Sequence, residues 1–160
     1  MKTFENHCYE FIIHRRENWE HAREDCKIKG GNLLSIHSIQ EQNFIMSSLS
    51  SLNFLGKGVW LGLNDKVTEK TFVWDSGEPV DFEYWAKEEP GNIVNILPVH
   101  HEEDCVLLKP NDSGHWYDYP CDGILLVLPE HDAWVCKYDM SPVPTPNTMV
   151  NGTGTPKLIG

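Results

Sequence analysis

The side chains in this chain with the means to do chemistry are mostly oxygens set in turns. Glu88-Glu89-Pro90-Gly91-Asn92 is an acidic turn, Asn64-Asp65 with Glu69 forms a second, and His100-His101-Glu102-Glu103-Asp104 leads into a third acidic run. The formal net charge of −11 points the same way. Such a surface repels phosphate backbones and anionic membranes, and favours divalent cations or basic protein surfaces as partners. The only short basic cluster is His14-Arg15-Arg16. Adjacent His side chains diverge on most backbones, and His100-His101 has no visible set of supporting groups, so zinc is not expected there. Neither a G-x-S-x-G elbow nor an H-E-x-x-H motif occurs, so catalysis is not expected either.

Five cysteines, Cys8, Cys26, Cys105, Cys121 and Cys136, lie far apart with no C-x-x-C pair. That spacing argues against a zinc knuckle and for disulfides made in an oxidising compartment. Spacing alone leaves the pairing open and one cysteine over. Two N-x-[ST] sequons, at Asn111 and Asn151, agree with an extracellular, secreted or ectodomain location.

The elements that must position these groups follow from periodicity. With 160 residues the chain has room for one domain and its tails. Trp19, Ala22 and Cys26 share one face of a helix expected over Glu17 to Lys29, and Gly30-Gly31 ends it. Ser38 and Glu41 form a capping box for a second helix from Ile39 to Leu52, carrying Phe44, Ile45, Leu49 and Leu52 at helical spacing. From Val59 the runs VWLGL, TFVW, VDFEYW, CVLL, HWYD and AWVCKY read as short strands between turns. Helices followed by strands make the class α+β with a largely antiparallel sheet. A long irregular loop separates Glu88 from Asp104. Residues 4–138 are expected to be the folded unit and 139–160 a Pro/Thr/Gly-rich linker. No apolar run is long enough to span a bilayer, and Met1 to Asn6 lacks the apolar stretch of a signal peptide, so the expectation is a piece of a larger extracellular product.

In order and spacing, these runs resemble the C-type lectin-like domain family: CYEF, NWEHAREDC, GGNLLSIHSIQEQNF, VWLGLND, FVWDSG, EEPGN, EEDCVLL, HWYDYPC and WVCKY. The resemblance implies two helices packed on the sheet, with a long irregular ligand loop. It also implies disulfides Cys26 to Cys136 and Cys105 to Cys121, each typically contributing about 2 to 4 kcal/mol. Cys8 is left over. In longer members its position pairs with an upstream cysteine; an intermolecular bridge or a free thiol are the alternatives. The six Trp are assigned to structure, as flanking Leu and Val suggest. The turn VWLGLND with FVWDSGEPV looks like domains of the tandem mannose-receptor group.

Sugar-binding members of the family hold one calcium with an E-P-N or Q-P-D triplet, a later Glu and a W-N-D triplet, and the ion grips two sugar hydroxyls. The corresponding residues here are Glu89-Pro90-Gly91 and Trp116-Tyr117-Asp118. Two Asn amides are therefore missing, and Glu89, Glu103 and Asp118 remain. An auxiliary calcium site fares better by resemblance, with Asp65, Glu69, Asn92, Glu103 and Asp104 offering oxygens. The alternative is that Asp65 and Glu69 are solvated turn acids. Any calcium is expected to be structural rather than sugar-bridging.

The insertions IVNILPVHH and GILLVLPEHD are longer and more apolar than such loops usually are. They either pack on each other or form a protein-binding patch. The sequence therefore points to a non-enzymatic recognition module with a degenerate calcium and sugar site, taking a protein or glycan ligand on the long-loop face. The alternative is a calcium-dependent carbohydrate-binding lectin using an adapted site.

Overall fold

A computed structural model of the chain describes residues 1–91, 104–121 and 130–140, Asp104 by its backbone alone. Eight strands and two helices follow in the order β1 (Lys2–Phe4), β2 (His7–Glu17), α1 (Trp19–Ile28), β3 (Asn32–Leu33), α2 (Ile39–Ser51), β4 (Val59–Asn64), β5 (Val73–Trp74), β6 (Asp104–Lys109), β7 (His115–Pro120) and β8 (Asp132–Asp139). They build one sheet in the order β1-β2-β8-β4-β6-β7, with β3 paired to β8 and β5 to β4. Every pairing is antiparallel except β4 with β8, which sets Val59 beside Ala133.

The central strands are buried on both faces, so they read as nearly unbroken apolar runs. The two-residue period of a strand divides their side chains between two cores. Val59, Leu61 and Leu63 of β4, Val106 and Leu108 of β6, and Ala133 and Val135 of β8 join Ile45 and Leu49 of α2. The intervening Trp60, Cys105, Leu107, Trp134 and Cys136 join Trp19, Ala22 and Cys26 of α1. Disulfides Cys26–Cys136 and Cys105–Cys121 lie in the second core, and Cys8 is free and half-buried. Gly62 is needed where β4 passes the end of β3: an added Cβ would lie 2.9 Å from the Leu33 carbonyl oxygen.

Both helices are capped as their sequences specify. Asn18 accepts from the His21 amide, and Ser38 accepts from the Glu41 amide. Glu41 reaches one residue beyond the usual box to accept from the His37 amide. Its other oxygen lies in the core, 2.5 Å from the Tyr9 hydroxyl and 2.7 Å from Lys137 Nζ. Besides its apolar residues at helical spacing, α2 thus carries a buried carboxylate. Leu52, assigned to that spacing, lies past the helix end and is 38% exposed.

Two strand readings need correction. The eleven-residue β2 was not foreseen, because its burial does not alternate cleanly and its last residues are exposed. VDFEYW, read as a strand, forms only an isolated bridge between Trp85 and Trp116. Its Val80, Phe82, Tyr84 and Trp85 pack on the first core as an aromatic layer instead of forming a ladder. The insertion 93–101, residues 123–129 of the second insertion, and the linker from residue 141 lie outside the described residues.

Candidate functional site

The acidic turn and the last edge strand bring the first two candidate ligands together. Trp116, Asp118 and Pro120 of β7 face inward, while Tyr117 and Tyr119 alternate to the other side. The turn before them is held by Ala86, whose amide donates to the Trp116 carbonyl, and by Glu89, whose amide donates to Ala86 O. The Glu89–Pro90 peptide is cis, and Glu88 and Gly91 on either side adopt positive φ. The Glu89 carboxylate faces β7, where the Asp118 amide donates to Oε2 at 3.5 Å.

The two carboxyls then compete for charge. Burial, followed by the hydrogen bond and charge of Asp118, pushes Glu89 up to about 8, against the opposing pull of the Asp118 and Gly91 amides. Asp118 is only 5% exposed, and its Oδ1 has no hydrogen-bond partner. A buried, unpartnered carboxylate oxygen beside a second carboxyl suits a cation. Glu89 and Asp118 fit such an ion; the two neighbouring positions do not. Gly91 has no side chain. The Tyr117 hydroxyl donates to Asp112 Oδ2, and Lys109 Nζ lies 4.1 Å from the centre of the Tyr117 ring. Asp112 was not singled out as that anchor; its place in the turn five residues before Tyr117 was the available signal.

The auxiliary set is only partly described. Asp65 follows β4 directly, is 1% exposed, and accepts the Lys70 amide at 2.9 Å through Oδ2, which closes the turn. It is a buried turn-closing carboxylate, unlike a solvated acid. Glu69 is exposed on the same turn. Asn92 and Glu103 lie outside the described residues, and Asp104 begins β6 opposite Pro120. Of the two sequon asparagines, Asn111 is exposed in the single 3-10 turn between β6 and β7, and Asn151 lies outside the described residues. Among the described residues, the one close group of three metal-type side chains is Asp25, Cys26 and Cys136. Its sulfurs are bonded to each other, and its carboxylate holds Lys29 and the Trp134 indole.

This two-core sheet with an acidic turn over its edge places the chain in the C-type lectin domain family, whose profile, Lectin C-type domain, matches residues 15–138. The chain is 34% identical over 120 residues to versican core protein of Rattus norvegicus, covering 74% of this chain and 4% of that protein. It is 35% identical over 121 residues to C-type mannose receptor 2 of Mus musculus, covering 76% of this chain and 8% of that protein. The chain thus spans a small fraction of the relatives it matches.

Among solved structures, human lithostathine superposes with a TM-score of 0.71 at 26% identity, covering 86% of this chain and 87% of that one. A calcium-independent type II antifreeze protein gives 0.68 at 25%, covering 86% and 90%. The cow CD23 carbohydrate-recognition domain, solved with a GlcNAc2Man3 oligosaccharide, gives 0.68 at 29%, covering 87% and 92%. Fold and likeness together define a C-type lectin-like recognition module. No helix among the described residues is long and apolar enough to cross a membrane.

Proposed function

We propose that this chain is a non-enzymatic extracellular recognition module whose calcium-bridged sugar site is degenerate, and whose long-loop face takes a protein or other non-sugar ligand. The observation that carries this reading is the loss of both amides beside Glu89 and Asp118. Gly91 offers no side-chain oxygen, and the Tyr117 hydroxyl is held by Asp112. A sugar-bridging calcium needs several oxygens on one side of the ion and amide donors for the sugar hydroxyls. Two carboxylates alone supply charge without that geometry. The antifreeze protein, described as calcium-independent, is a precedent for a member of this fold that does not depend on calcium. Two disulfides favour an oxidising, extracellular setting.

In this reading any calcium is structural. Asp65 and Glu69 hold it with Asn92, Glu103 and Asp104, and the ion orders the loop without touching the ligand. A second reading, a calcium-dependent lectin with an adapted site, is favoured by the unpartnered Asp118 Oδ1 beside Glu89 and by the likeness to the CD23 domain. Calcium titration followed by thermal melting tests the structural ion, because a ligand that binds only the folded state raises the melting temperature. A rise abolished in Asp65→Ala supports it; no rise removes calcium from the account.

A further inference from the structure

A second concave surface lies at the other end of β4 from Asp65. It is a cleft of about 330 Å³ between the end of β2, the turn after α2 and the start of β8. Ile13, Leu52, Phe54, Leu55 and Ala133 supply its apolar lining, and Arg16 and Lys57 its cationic lining, with His14 and the Asp132 carboxyl beside them. The volume falls in the range of small ligand sites.

The turn that forms one wall is fixed in place. Asn53 adopts a left-handed φ of 55°, and the Phe54 amide donates back to Leu49 O, closing α2. The Phe54 ring covers Gly56, where a Cβ would lie 2.3 Å from it, so a side chain there would displace the ring. Lys57 is tied to Glu130 at 2.7 Å. This anchored turn nevertheless presents Leu55 at 95% exposure. Leu55 is not isolated: with Ile13, Leu52, Phe54 and Ala133 it lines one cleft, a contiguous apolar surface beside Arg16.

The charges around the cleft are mostly satisfied within the fold, with one exception. Glu130 is held by Lys57, and Glu17, which faces Asp132 across the sheet, is held by His21 and Arg15. His131 lies between Glu130 and Asp132. Asp132 itself is 3% exposed, and burial first, then Glu130, pushes it up to about 7 against the opposing pull of Lys57 and Arg16. It is therefore about half protonated at neutral pH and offsets the cationic rim only in part. Arg16 has no ion pair among the described residues, and it belongs to the one basic cluster of a chain with net charge −11.

From this geometry we infer that the cleft is a docking surface for an acidic peptide segment, with an apolar side chain seated against Leu55 and Phe54 and a carboxylate on Arg16. Charge complementarity selects this occupant over a basic one, which the unpaired Arg16 repels. The inference concerns a different face from the acidic turn and is independent of whether calcium binds there.

The test is a heteronuclear NMR titration of the intact, disulfide-bonded chain with two capped pentapeptides, acetyl-Glu-Leu-Glu-Phe-Glu-amide and its counterpart with Lys in place of each Glu. The acidic peptide is expected to shift the Arg16, Gly56, Gly58 and Ala133 amides, and the basic peptide to leave them in place. Arg16→Glu and Leu55→Ser each weaken the acidic peptide by about tenfold. Leu55 is exposed, so the thermal midpoint of Leu55→Ser should match that of the parent. At a pH above about 7, Asp132→Asn tightens binding, because it removes the charge that competes for Arg16. No shifts at millimolar acidic peptide, equal shifts from the basic peptide, or shifts confined to residues 86–91 and β7 would each overturn the inference.

Discussion

At the scale of single residues, the account turns on two amides and two carboxyls. Gly91 sits at φ 124°, a conformation that side-chain-bearing residues rarely adopt. Gly91→Asn should therefore cost about 1 to 3 kcal/mol of stability and still leave sugar resins without chelator-reversible retention. Melting and resin binding of that variant check both parts. Asp132 gives a pH-dependent counterpart. Its value is raised from an ordinary 3.8 to about 7, so the neutral form is favoured by folding, and its stabilising share is complete below about 4 and lost as pH rises through 7. Asp132→Asn should raise the melting temperature above that window and leave it nearly unchanged in acid; an equal effect at both ends contradicts the assignment. The position of the acidic turn was legible in the sequence. The inward aim of Asp118 and the capture of Tyr117 by Asp112 were not, because both depend on the phase of β7 in the sheet.

At the scale of elements, helices were more legible than strands. Their caps and spacings are local, so Asn18, Ser38 and the Trp19, Ala22, Cys26 face can be read in the chain itself. β2 and VDFEYW could not be read this way. Whether an aromatic stretch becomes a ladder or an overlying layer is decided by its neighbours, here Trp116 and the first core. Glu41 shows the same limit: a helix-capping acid in the sequence, it is also half of a buried pair with Lys137, side chains 6% and 5% exposed. Removing one partner strands the other. Lys137→Met should cost about 3 to 5 kcal/mol, and Glu41→Leu with Lys137→Met should cost less than the sum of the single changes. Denaturant midpoints of the four proteins measure the coupling, and additive costs would show that the pair is not coupled.

At the scale of the whole molecule, the disulfides differ in the loops they close. Cys26 and Cys136 are 110 residues apart, and Cys105 and Cys121 are 16 apart. In the chain-entropy description the longer closure contributes about 4 to 5 kcal/mol and the shorter about 3. Cys26→Ala with Cys136→Ala should therefore lower the melting temperature more than Cys105→Ala with Cys121→Ala. The central strands are buried on both faces and stapled in this way, and the proposed function assigns recognition to the loops and clefts at the sheet's edges. Degeneracy of the sugar site is the central claim, and it is tested most directly by passing the folded chain over mannose-type and galactose-type resins in calcium, then adding chelator. The account predicts passage through both columns with no chelator-released fraction; retention in calcium that chelator reverses would contradict it.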